Sequence, residues 1–275
     1  MSDTERPIAG AETPETPPAE KRFDAHFQFT SVTQYHPAFP APYSGQNSLD
    51  PESEHETTVT ATLFLGARLW RGAELYADGE VSGGRGLSST FGIAGFPNGD
   101  AFRVGSPEPK VYLARLMLKQ TFPLAGGTEP VEDEANQLGG TRPVRRWTLT
   151  VGKFGLSDLF DANPYSGDAR SQFMNWAAWT AGAWDYAADT RGYTWGFVLE
   201  RFDTDWAVRF AAAAEPLVAN GEQFDTDLLH AHSFNAEYER GFQLRCEGNY
   251  GEAMAEFVTA LQIPNNLPSA GRGMR

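Results

Sequence analysis

Between Thr58 and Trp70 the chain changes polarity at nearly every step. Val59, Ala61, Leu63, Leu65, Ala67 and Leu69 alternate with Thr58, Thr60, Thr62, Phe64, Gly66, Arg68 and Trp70. Successive side chains of a strand point to opposite faces, so a period of two over about 13 residues makes one long strand with a fully apolar face. Arg71-Gly72 then reads as a tight turn. Beyond it Ala73, Leu75 and Ala77 continue one face, against Glu74, Tyr76, Asp78 and Glu80 on the other. Two such strands joined by a short turn predict a hairpin wall.

The pattern recurs. Tyr112, Ala114, Leu116, Leu118 and Phe122 alternate with Leu113, Arg115, Met117 and Lys119. Trp147, Leu149 and Val151 oppose Arg146, Thr148, Thr150 and Gly152, and Tyr193, Trp195, Phe197 and Leu199 oppose Thr194, Gly196, Val198 and Glu200. Trp206, Val208 and Phe210 oppose Ala207, Arg209 and Ala211, and Phe234, Ala236 and Tyr238 oppose Asn235, Glu237 and Glu239. This amounts to roughly seven strands of about 8 to 12 residues, near the length that crosses a bilayer when tilted. Phe23 to Pro42 is aromatic and polar, with His36-Pro37 and Phe39-Pro40 as breaks, and Ser82 to Asp100 reads as a long Gly-rich loop.

Two architectures share this pattern. A soluble β-sandwich turns its apolar faces inward, and a transmembrane β-barrel turns them to lipid. Sandwich strands usually run about 5 to 6 residues. These are longer, and their second faces carry Arg68, Glu74, Arg115, Lys119, Glu200 and Arg209 among Thr and Gly, which suits a water-filled lumen. A helical membrane protein is excluded, because a spanning helix needs about 20 apolar residues and Phe173 to Trp184 is interrupted by Asn175 and Thr180. A net charge of −14 argues against a nucleic-acid partner.

The single cysteine, Cys246, forms no intrachain disulfide, and no Cys/His cluster has zinc spacing. His230 and His232 lack a third ligand. Asp158, Asp161, Asn163 and Asp168 depart from a calcium loop, with Ser166 at the glycine position and Gln172 at the bidentate-glutamate position. No metal or other cofactor is expected.

The blocks TLFLGARLWRGAELY (62–76), GLSSTFGIAGFPNGDAFRVG (86–105), NQLGGTR (136–142), LTVGKFGLSDLFDANPYSGDARSQFMNWA (149–177) and DYAADTRGYTWG (185–196) resemble the carbohydrate-selective porins of the OprB type. The resemblance covers roughly Phe23 to Arg240. It implies an all-β fold, a transmembrane antiparallel β-barrel of sixteen strands in the outer membrane, of which about half is present here. It also implies passive, selective passage of mono- and oligosaccharides. The partners so implied are carbohydrates and outer-membrane lipid, and association into homo-oligomers stays open.

Three segments are expected. Residues 1–22 are a disordered Pro/Glu-rich N-terminus without an apolar signal core, residues 23–240 the barrel portion, and residues 241–275 a divergent tail without a terminal aromatic strand. On this reading the chain is a truncated or frameshifted form of a longer porin.

A sugar channel needs aromatic rings for CH faces, polar groups for hydroxyls, and binding weak enough to release. Gly155 to Thr190 is too long for a tight connection and has helical spacing around Ser171 to Ala183, so it is expected to be a long helical constriction loop. It carries Trp176 and Trp179, with Trp184 nearby, interleaved with Asp168, Arg170, Asn175 and Asp185. The tryptophans equally fit a role in pinning the loop to the wall. Arg68, Glu74, Arg115 and Glu200 fall on inward positions where opposite charges can face one another across the pore, and any one of them equally fits a solvated polar wall without specificity. Arg68 stands out, on the best-defined strand. A soluble sugar-binding β-sandwich and a glycoside hydrolase using two of Asp158, Asp161, Asp168 and Asp185 are the alternatives.

Overall fold

The computed structural model describes residues 19–45, 48–90, 97–101, 108–162, 166–175, 178–180, 184–218, 221–227, 230–240 and the backbone of 259–263. Cys246, Asn163 and Trp176, considered above, lie outside these residues. The strands are β1 (Phe23–His36), β2 (Glu54–Trp70), β3 (Ala73–Gly84), β4 (Lys110–Pro123), β5 (Thr128–Val131), β6 (Gly140–Pro143), β7 (Arg146–Phe154), β8 (Thr194–Phe202), β9 (Trp206–Ala214), β10 (His232–Arg240) and β11 (Thr259–Ile263). Nine of them form one antiparallel sheet, in the order β1-β2-β3-β4-β7-β8-β9-β10-β11. The hairpin β5-β6 stands apart as a second small sheet. Among the described residues β1 and β11 do not pair with each other, so the sheet is open.

The β2-β3 hairpin follows the alternation, and its turn is closed by Gly72 at φ 77°, a backbone region that side chains disfavour. β1 departs from the expectation. Phe23 to His36 is a 14-residue strand in full register with β2. Phe23, Phe27, Phe29 and Tyr35 lie on its exposed face, and Asp24, His26, Gln28, Thr30 and Gln34 on the other. The prolines fall just past its end and terminate it instead of preventing it.

The two faces of the sheet are inverted relative to a soluble protein. Phe27 is 69% exposed, Leu63 and Leu65 45%, and Val151 46%, with Trp195, Leu199 and Phe210 also exposed on the same side. Thr58, Thr60, Thr62, Asp78, Glu80, Thr148, Thr150, Glu200, Arg209 and Glu237 are buried on the other. A sandwich would cover the apolar side with a second sheet, and the only other sheet among the described residues has two strands. That hairpin also sits on the polar side, where Asn136 Nδ2 donates to Asp78 (2.9 Å) and the Leu138 N–H to the Tyr76 hydroxyl (3.2 Å). So broad an apolar surface, left uncovered by the described residues, calls for an apolar neighbour.

A bulge on β4 corrects one face assignment. Asp78 pairs with Arg115 but Gly79 with Leu113, so Ala114 is the extra residue. The extra residue shifts the alternation by one. Tyr112 therefore joins Arg115 on the polar face, and Leu113 and Leu116 are exposed on the apolar one.

Candidate functional site

The polar face is covered by the connection between β7 and β8. It starts on a 3-10 turn, Leu156–Asp158, that carries Asp158 Oδ2 back to the Gly155 N–H (3.0 Å). Leu156 and Phe160 are buried with Phe154, Val198, Ala211 and Ala213, and Trp184 and Tyr186 pack against that cluster. Trp184 Nε1 donates to Asn235 Oδ1 at 2.9 Å, and the Asp161 N–H to Glu237 Oε2 at 2.7 Å. Arg115 grips Asp158 with two prongs, Nε and Nη2 each at 2.7 Å, while its Nη1 reaches Asp78 at 3.1 Å. The segment is thus held to the wall by side chains from β4, β9 and β10. Trp184 takes the pinning role.

The expected helix around Ser171 to Ala183 does not form among the described residues there. Asp168 Oδ1 accepts from the Arg170 N–H (3.0 Å), Asp168 Oδ2 from Ser171 Oγ (2.6 Å), and Gln172 Oε1 from the Asp168 N–H (3.1 Å). Such local side-chain bonds compete with a helical ladder. Asn175 is bridged instead to Asn98, and the Gly99 N–H donates to Met174 O at 2.7 Å. Helical spacing here yields a looped strap tied to the 97–101 turn.

Between this strap and the polar face of β2 to β4 lies a cavity of about 570 Å³. Arg115, Arg170, Trp179 and Asp185 line it together, joined by Asp158 and Tyr193. Arg170 reaches Asp100 (2.7 Å), Thr30 Oγ1 on β1 (3.3 Å) and Asp168 (3.5 Å), and so ties strap, turn and wall. Burial pushes the Asp100 carboxyl above its ordinary value, more than the Arg170 charge and a bond from Thr30 bring it down. Burial also acts to raise Asp168, but bonds from Ser171 and the Arg170 N–H, with the Arg170 charge, outweigh it and hold the group below the usual range. Asp168 and Asn175 lie beside this cavity without lining it.

Arg68 and Glu74 line a second cavity, of about 1080 Å³. They are register partners on adjacent strands, not groups facing each other across a gap, and Arg68 Nη2 donates to Glu74 at 3.2 Å. Arg68 also pairs with Glu20, and Tyr76 donates to Glu74 at 2.9 Å. Glu200 likewise meets its register partner Arg209 at 3.2 Å, and Arg209 binds Glu237 (2.5 Å) and Glu239 (2.8 Å) as well. The inward charges are neutralised along the wall by their neighbours.

Sequence reasoning weighed Asp158 only as a calcium-loop or hydrolase carboxylate, and did not single out Tyr193 or Tyr112 as site residues. The Arg191 guanidinium stacks 3.7 Å above the Tyr112 ring, and that of Arg115 5.0 Å from the Tyr193 ring centre. Only the bulge at Ala114 brings Tyr112 to this side. The family model of the carbohydrate-selective porins, OprB family, matches residues 46–270, beyond the Arg240 at which the block resemblance stops. No curated protein and no solved structure matches the chain.

Proposed function

The chain belongs to the OprB family of carbohydrate-selective porins, and from that premise we propose that it is an outer-membrane channel for passive diffusion of mono- and oligosaccharides. The observation that carries this reading is the inversion of the sheet, whose exposed side is apolar and whose buried side is polar. On this reading the sheet is part of a transmembrane barrel wall, with its apolar side against lipid. The strap from 155 to 193 is the constriction. Trp179 and Tyr193 supply rings for sugar CH faces, and Arg115, Arg170 and Asp185 supply partners for hydroxyls. Asp168 and Asn175 belong to the same strap and are assigned to its lumen-facing surface. Arg68 and Glu74 form a second polar contact along the path.

A hydrolase reading that uses Asp158 is disfavoured because both of its oxygens are engaged by Arg115. The test is reconstitution of the full chain in liposomes and planar bilayers. Glucose uptake should exceed that of protein-free vesicles, and maltose should block the current in a concentration-dependent way. Trp179→Ala and Arg68→Ala should each weaken that block. Uptake equal to protein-free vesicles, or block unchanged in both variants, refutes the assignment.

A further inference from the structure

Asp24 and His26 stand two apart on the polar face of β1, opposite Gly66 and Phe64 of β2. Asp133 comes from far along the chain, on the connection between β5 and β6. That hairpin springs from β4, which β2 and β3 separate from β1. Lying over the polar face, it carries Asp133 back to the edge strand. An oxygen of Asp24, Nε2 of His26 and an oxygen of Asp133 all lie within 4.8 Å of one another.

Two further observations point from this triad to a cation. The His26 Nε2 atom is buried against Asp24 and 3.8 Å from Asp133 Oδ2, yet it makes no hydrogen bond to a described residue. A buried ring nitrogen that faces carboxylate oxygens without a bond is costly, and a shared cation turns the same arrangement into coordination. Asp133 is also aimed. Its Oδ1 accepts from the Gly139 N–H at 3.2 Å and so leaves Oδ2 to the triad, as outer hydrogen bonds orient metal ligands. Lys21 is the competitor: its ammonium pairs with Asp133 and lies 3.9 Å from Asp24. Its side chain is 48% exposed and can turn to water. With the imidazole neutral, as a ligand must be, one ammonium against two carboxylates still leaves the cluster negative.

We propose that Asp24, His26 and Asp133 bind a divalent transition-metal ion, zinc by the chemistry of the set, which displaces Lys21 and clasps the β5-β6 hairpin to β1. One imidazole nitrogen with two carboxylates suits zinc, whereas calcium and magnesium take oxygen ligands. Val131, Leu138 and Thr141 of the clasped hairpin line the second cavity, so the ion fixes one wall of it.

The test is calorimetric titration of the metal-stripped full chain in detergent with zinc chloride and with calcium chloride. Zinc should bind more tightly than calcium. Loss of a single outer partner costs a metal site about 10–100-fold, so losing the imidazole in His26→Ala should weaken zinc by at least about 100-fold. Lys21→Met should tighten zinc binding, because the competing ammonium is gone. Zinc should raise the urea midpoint of the wild type and leave that of His26→Ala where it was. Should His26→Ala fail to fold, Asp133→Asn, outside the main sheet, carries the same test. Zinc affinity unchanged in these variants, calcium bound as tightly as zinc, or weaker zinc binding in Lys21→Met overturns the site.

Discussion

Replacing Arg115 by methionine tests how the strap is held. The guanidinium is 16% exposed and spans two carboxylates of unequal exposure, Asp78 at 0% and Asp158 at 30%. Asp158 can turn to water when released, so its share is small, about 0–1 kcal/mol. Asp78 cannot, and would keep only the Asn136 amide at 2.9 Å. A buried charge left without its counter-ion typically costs about 3–5 kcal/mol. The expected loss for Arg115→Met is therefore about 3–5 kcal/mol, read as a shift in the urea midpoint of the protein in lipid vesicles. Asp78→Asn removes the stranded charge, so the double variant should recover most of that loss. In bilayers the single variant should also pass a larger and noisier current with weaker sugar block, since the strap has lost its anchor on β4. A loss below about 1 kcal/mol, or additive costs for the two substitutions, would refute the reasoning.

The remaining predictions concern acid and backbone. Asp100 is raised and Asp168 lowered, so as pH falls toward about 4 Asp100 takes its proton first. A raised carboxyl costs stability above its folded pKa and relieves that cost as it protonates. A lowered one contributes stability that is lost only as pH falls through its own folded pKa. Carboxyl chemical shifts should accordingly titrate in the order Asp100 then Asp168, and the reverse order would contradict the geometry. Gly152 sits at φ 137°, where a Cβ would stand 2.1 Å from Leu116 O on the neighbouring strand. Gly152→Ala should lower stability by about 1–3 kcal/mol in the same urea assay, whereas an unchanged midpoint would show that the strand pair can part there.

The wall was legible because alternation is local. Each residue from Thr58 to Arg68 reports its face through its immediate neighbours, and the set placed inward by that rule is buried from Thr58 to Phe64 and half-buried at Gly66 and Arg68, whereas Trp70, past a shift of register, is exposed. The same rule applied to Phe23 to Tyr35 would have found β1, but the aromatic residues on one side and the prolines beyond drew the reading toward a break. The bulge at Ala114 was not legible, since nothing at that residue differs from an ordinary strand position. The helix was misread for a related reason. The helical spacing around Ser171 to Ala183 is a local feature, whereas the bridge from Asn175 to Asn98 is a long-range one. Site geometry depends on stagger between strands far apart in sequence. That stagger pairs Arg68 with Glu74 and leaves Lys119 beside Thr150.

The strap carries no ladder hydrogen bonds to the main sheet among the described residues. Its side-chain moorings include Arg115 to Asp158, Arg170 to Thr30, Lys153 to Asp189, Trp184 to Asn235 and Glu237 to the Asp161 amide. On the channel reading proposed above, the calibre of the wall and the mesh of the filter are therefore separate inheritances. Strand number and stagger govern the first, and a handful of side chains the second. On that reading a lineage could exchange one sugar for another by re-tying these few side-chain contacts, with every strand left in register.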